Sequence, residues 1–177
     1  MSITAGQFRA ALGRFASGVT VVTLRTPDDD VHGMTANAFS SLSLEPFRVL
    51  VCVERASHTH PLLMGAEKFG INILSEEQRR LAEFFARVEK DRASAERAGA
   101  RFSFTGSGTP LLEGCLATLE CRLVAAHDSG DHTIFVGEVE NLHTAEGRPL
   151  LYYRGRYSRL ETSQEPEPMP TAGLCVR

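Results

Sequence analysis

A chain of 177 residues, 42% hydrophobic and 23% charged, has the composition of a single globular domain with a core of its own, which excludes a largely disordered polypeptide. A net charge of −3 gives no support for a polyanion, so no nucleic-acid partner is expected. The N-terminus lacks an apolar signal core and no uninterrupted apolar run reaches membrane-spanning length; no membrane association is expected, and the cytoplasm is the expected compartment.

Thr4 and Gln7 stand at capping-box spacing, and Phe8, Ala11, Leu12 and Phe15 fall on one face, which predicts a helix from Thr4 to Ser17. "GVTVVTLR" has the β-branched run of a strand, and "TPDDD" supplies a turn. "VHGMTANAF" then leads into a corner of small and hydroxyl-bearing residues, read as a loop at a strand end, before the compact strand "RVLVCVE". Pro61 suits the first turn of a short helix through Lys68, and "FGINIL" is the next strand. Ser75 and Gln78 form a second capping box, opening a helix with Leu81, Phe84, Phe85 and Val88 on its inner side. "EKDRASAERAGA" is polar and helix-prone up to Gly99.

The remainder is β-rich. Ala117, Leu119, Cys121, Leu123 and Ala125 alternate with Thr118, Glu120 and Arg122, "HDSGD" reads as a turn, and "HTIFVGEVENLH" runs back as the partner strand. "LLYYRGRYSRL" closes a domain spanning 1–160, and 161–177, rich in Pro and Glu, is expected to be a mobile tail. Six or more strands with few helices and no βαβ rhythm predict a mainly β fold, an antiparallel barrel with helices packed outside.

Most familiar catalytic patterns are missing. "GSGTPLLEG" has Leu111 where a dinucleotide fingerprint needs its last Gly and reads as a loop; neither G-K-[ST] nor G-x-S-x-G occurs. His58 and His60 could meet a metal with His127 or His132, but no H-E-x-x-H exists and no metal site is expected. Cys52, Cys115, Cys121 and Cys175 form no C-x-x-C pair and are expected as idle thiols in a reducing compartment. What stands out is "GMTANAFSSLSLEPF". Its hydroxyls and backbone N–H groups can make an anion concavity, with Met34 and Phe39 beside it for a flat apolar ring.

Taken with "FRAALGRFASGVTVVT", "SHTHPLL", "FGINIL", "LAEFFAR" and "GDHTIFVGEVENL…PLLYYRGRY", that stretch resembles the short-chain flavin reductases, the reductase partners of two-component flavin monooxygenases. The resemblance runs from about Phe8 to Tyr157, with one departure: the family's usual Pro-Pro is Pro46-Phe47 here. It implies a split β-barrel homodimer that binds FMN or FAD near the dimer interface and takes a hydride from NADH or NADPH. Thr35, Ala36, Asn37 and Ala38 match the segment lining the isoalloxazine, with Ser40 and Ser41 extending it. Cys52, Val53 and Glu54 match the strand end beside the flavin; Ser57, His58 and Thr59 match the stretch at its phosphate or ribityl; Phe84, Phe85 and Ala86 match a further flavin-side turn. His132 matches the position near the nicotinamide, and Tyr152, Arg154 and Tyr157 lie in the motif that holds the pyridine nucleotide.

The resemblance implies an NAD(P)H-dependent flavin reductase supplying reduced flavin to a monooxygenase. The bare residues fit it, because hydride transfer is cofactor chemistry that asks the protein mainly for positioning. The rival readings are a split barrel that binds flavin or haem without turnover, and a ferric reductase with fixed flavin.

Overall fold

The computed structural model describes residues 2–87 and 92–161. In chain order it contains α1 (Ala5–Leu12), β1 (Ser17–Gly18), β2 (Thr20–Arg25), β3 (Val31–Ala36), β4 (Phe39–Leu44), β5 (Phe47–Glu54), α2 (Thr59–Gly65) and β6 (Lys68–Ile73). A single 3-10 turn, Glu76–Gln78, runs into α3 (Arg79–Phe85), followed by α4 (Arg92–Arg97), β7 (Phe102–Phe104) and β8 (Pro110–Leu112). The long strands β9 (Ala117–Ser129) and β10 (His132–Thr144) precede the hairpin of β11 (Leu150–Tyr153) and β12 (Arg156–Arg159).

Seven strands form one antiparallel sheet in the order β3-β2-β6-β9-β10-β5-β4. The sheet curls around an inner core of Val22, Leu24, Val49, Val51, Val53, Phe69, Ile71, Cys121 and Phe135. Tight wrapping depends on Gly137: a Cβ there would lie 2.6 Å from the Phe69 ring and 2.8 Å from the Cys121 Cβ. The sheet's two edges are β3 and β4. α2 touches both β3 and β5, seating Leu63 in the inner core and placing the Thr59 hydroxyl 2.8 Å from His32 Nε2. The expected mainly β, split antiparallel barrel is therefore what forms.

β2 is buried on both faces. Val22 and Leu24 point inward, whereas Val21, with Val19 just before the strand, joins an outer core with Leu74, Leu81, Ala82, Phe84, Phe85, Leu112 and Leu150. That outer core fastens α3, α4, β8 and the β11–β12 hairpin to the barrel. Asn72 stitches it: its amide donates to the Val21 carbonyl at 2.8 Å, and its carbonyl accepts the Leu112 N–H at 2.7 Å.

Both capping boxes form, at Thr4/Gln7 and Ser75/Gln78, but the second opens the 3-10 turn before α3 rather than an α-helix directly. α1 stops at Leu12, short of Ser17, and α2 stops at Gly65, because Lys68 enters β6. The expected loop at 106–114 contains β8, paired with β7. The "HDSGD" turn shrinks to Gly130–Asp131, since β9 continues through Ser129. Val88, Cys175 and the expected tail beyond Glu161 lie outside the described residues.

The polar face of β9 is not left to solvent: Thr118 and Glu120 are both buried. Glu120 on β9 belongs by pattern to the solvent face, yet it is only 1% exposed. One carboxylate oxygen accepts hydrogen bonds from the hydroxyls of Thr105, Ser107 and Thr109, and the other accepts the Asn141 amide at 3.0 Å. Burial pushes this carboxyl pKa up, but the bonds from Ser107, Asn141, Thr105 and Thr109 prevail and hold it near about 2. A depressed carboxylate stabilises the fold above its ordinary value of 4.5 and loses that contribution as pH falls toward about 2. Glu120→Gln is expected to cost about 1–3 kcal/mol near neutrality. Denaturant titrations across pH should show the wild-type advantage shrinking in that acid window.

Candidate active site

The corner after β3 supplies the first wall of a cleft. Thr35 and Ala36 end β3, the chain turns at Asn37–Ala38, and the Ala38 carbonyl accepts the Cys52 N–H at 2.9 Å, tying the corner to β5. The second wall is the C-terminal hairpin, placed here because β1 pairs with β11, Ser17 opposite Tyr152. The third is Ala86, immediately after α3. Together Val19, Thr35, Asn37, Ala86, Tyr152 and Tyr157 line a cleft of about 180 Å³.

Small residues let these walls approach. A Cβ on Gly33 would lie 2.7 Å from the Phe85 ring, so glycine allows α3 to lie directly on β3. The Thr35 hydroxyl donates to the Ala82 carbonyl at 2.8 Å, and the Ala86 N–H reaches the same carbonyl at 3.1 Å. Thr35 thus holds the end of α3 in place, with its proton already committed. The Tyr152 and Tyr157 rings meet edge-to-face, 5.5 Å between centroids. Burial raises the Tyr157 phenol pKa, with Tyr152 and Glu83 adding to the rise and Arg79 opposing it. The Asn37 amide is the polar group at the mouth, 3.5 Å from the Ser17 hydroxyl.

Strand register carries the same surface onward from Ala38 through Cys52 to Glu54, which faces His132 across the β5–β10 ladder. His132 Nδ1 stands 2.7 Å from Asp131 Oδ1. The hydrogen bond from His132, followed by the attraction of its charge, lowers the Asp131 pKa. An ionised Asp131 only accepts, so His132 Nδ1 is the donor of this bond and its ring is held by the turn residue beside it. Burial raises the Cys52 thiol pKa, making it a poor nucleophile.

The other expected site residues divide by burial. Val53, Thr59 and Phe85 are 1–2% exposed and Phe84 and Ala36 are also buried, so these five can meet a ligand chiefly through backbone. Thr59 is engaged with His32, whose ring lies 5.4 Å from that of His58, and the Ser57 hydroxyl donates to the Glu54 carbonyl at 2.7 Å. Ser40 and Ser41 sit on the edge strand β4 rather than in a loop; the Ser40 hydroxyl donates to the Ser41 carbonyl and neither lines the cleft. Arg154 takes the left-handed φ of 50° in the hairpin turn, donates its N–H to the Gly13 carbonyl at 2.9 Å and lays its guanidinium over Tyr153. Val19 and Ser17 were not legible as site residues: "ASGV" reads as a helix end running into a strand, and only the β1–β11 pairing brings it to the cleft.

A larger cavity, about 540 Å³, lies at the opposite end of β2, lined by Arg25, Pro61, Leu62, Lys68 and Ser107 among others. Its two cations are already paired, Arg25 with Asp29 at 2.7 Å and Lys68 with Glu140 at 2.8 Å, and no expected site residue lines it. Among the described residues no group of His, Cys, Asp or Glu is arranged to hold a metal ion. Two tyrosines, Val19 and Ala86 line the cleft with Thr35 and Asn37, a mix of aromatic, small and polar groups of the kind that receives a flat heteroaromatic ring.

Residues 12–161 match the family model described as flavin reductase like domain. An NADH-dependent flavin reductase of Rhodococcus sp is 43% identical over 170 residues, 94% of this chain and 92% of that protein. The reductase subunit HsaB of a flavin-dependent monooxygenase from Mycobacterium tuberculosis is 37% identical over 158 residues, 87% of this chain and 81% of that one. The solved NADH:FAD oxidoreductase of Streptomyces globisporus, in complex with NAD and FAD fragments, superposes with a TM-score of 0.83 at 33% identity, covering 90% of this chain and 94% of that one.

Thr35→Val keeps the shape and removes the hydroxyl that holds Ala82. It is expected to cost about 1 kcal/mol of stability and to weaken FMN binding, read by thermal denaturation and by quenching of flavin fluorescence.

Proposed function

The chain belongs to the flavin reductase like family, and from that premise we propose that it is an NADH-dependent flavin oxidoreductase whose reduced flavin serves a flavin-dependent monooxygenase. The observation that carries this reading is the cleft in which Tyr152, Tyr157, Ala86 and Asn37 converge. When bound, the nicotinamide supplies the hydride and the isoalloxazine of FMN or FAD accepts it. The protein's own work is positioning. The tyrosine rings and Ala86 orient a flat ligand and keep water from its face, while the Asn37 amide and the backbone of the 35–38 corner address its polar edge. His132, its Nδ1 bonded to Asp131, is assigned to the nicotinamide carboxamide on the strength of its motif. Ser57 and His58 are assigned to the flavin phosphate or ribityl, and Arg154 to the pyridine nucleotide, on the strength of their motifs.

The partner reading draws on the relative named as a monooxygenase reductase subunit. Relatives named for reductase activity favour turnover over a flavin or haem holder. A homodimer is supported by apolar side chains left exposed: Phe8, Leu12 and Phe15 at the N-terminus, and Leu42, Leu44 and Phe47 on and beside the edge strand β4. No helix among the described residues is long and apolar enough to cross a membrane, and Cys52, Cys115 and Cys121 are free thiols, which fits a cytoplasmic protein whose working domain is 1–160.

Anaerobic incubation with NADH and excess FMN or FAD is expected to bleach many flavins per protein, and the faster of the two identifies the preferred flavin. Bound flavin that stays oxidised would leave a cofactor holder. His132→Ala is expected to raise the KM for NADH more than that for flavin; an unchanged KM for NADH would remove His132 from the site.

A further inference from the structure

Arg79 opens α3 and falls between the family motifs "FGINIL" and "LAEFFAR". Its Nε donates to Glu83 Oε1 at 2.8 Å, one turn along the helix, which fixes the direction of the side chain. The guanidinium carbon then stands 5.9 Å from the centroid of the Tyr157 ring, within cation–π range. Tyr157 is on β12, the outer strand of the small sheet β1-β11-β12, with a strand neighbour on one side only. Two further ties join this strand to the start of the 76–85 segment: Arg79 over the Tyr157 ring, and Arg159 Nε at 3.8 Å from Glu76. The far end of α3 contributes Ala86 to the cleft. This one helix therefore forms one wall and braces the opposite one.

Resting on the reading of the cleft as the flavin site, we propose that Arg79 is a positioning residue. Its guanidinium, aimed by Glu83, covers Tyr157 and fixes the Tyr157–Tyr152 pair at the angle a flat ring ligand requires, without touching that ligand. Pre-setting two aromatic side chains spares binding the cost of ordering them.

The test is flavin binding without NADH, read by quenching of flavin fluorescence, with FMN and with riboflavin, which has no phosphate. Arg79→Gln is expected to raise the Kd for both ligands alike by about 2- to 5-fold, the range an exposed cation–π contact supplies. Arg79→Lys, which keeps a cation above the ring, is expected to change it less. In a Tyr157→Leu background the same Arg79→Gln change is expected to have no further effect, because the ring it acts through is gone. An unchanged Kd would overturn the proposal. So would an effect seen with FMN but not riboflavin, which would make Arg79 a phosphate ligand, and so would an effect that persists in the Tyr157→Leu background. A large fall in Tm in Arg79→Gln would assign the residue to fold stability instead. Because NADH takes no part, wild-type protein that binds flavin but never reduces it would contradict the reductase reading and leave this result intact.

Discussion

Burial of β2 on both faces is the constraint from which the rest of the molecule is arranged. Val22 and Leu24 need a barrel interior, and Val19 and Val21 need a second layer outside it. A barrel with a wet outer surface would leave the second pair exposed, so α3, α4, β8 and the C-terminal hairpin are drawn onto that flank. The cleft forms where this outer layer meets the end of β3. Val19 belongs to the buried outer core and to the lining of the cleft, so fold and site share a residue.

The two ends of β2 are built differently. At the Arg25 end, hydroxyls, amides and charges are used up among themselves: Glu120 is saturated by four donors, and Lys68 and Arg25 are paired. At the Val19 end the surfaces are aromatic or small, and the polar groups are uncharged: two phenols, the Asn37 amide and a Thr35 hydroxyl already committed to Ala82. Such a site offers no strong acid, base or activated nucleophile; the Cys52 thiol is pushed the wrong way for one. That poverty suits a reaction whose electrons move between two bound nucleotides, where geometry is the protein's main contribution.

Much of this was legible in the sequence, for reasons that can be named. Thr4/Gln7 and Ser75/Gln78 marked helix starts because a capping box is a local bond pattern. β5 showed itself as a compact apolar run and β9 through alternation, and the family motifs pointed to Thr35, Asn37, Ala86, Tyr152 and Tyr157, five of the six cleft residues. What escaped depends on long-range packing. The hydroxyl-rich "SSLS" reads as a loop, yet pairing with β5 makes it an edge strand. Glu120 looks like an ordinary outward carboxylate, and only the 105–109 loop folding over it reveals a buried hub. Val19 resembles any strand valine until the hairpin 130 residues later is laid beside it, and the apolar stripe of α1 stays uncovered within one chain.

The measurement that tests this account most directly is a crystal structure of the protein with FMN bound. The account predicts the flavin ring packed against Ala86 and Tyr157 with its polar edge toward Asn37 and the 35–38 corner. A ring seated instead in the cavity between Arg25, Pro61 and Lys68, at the other end of β2, would contradict it.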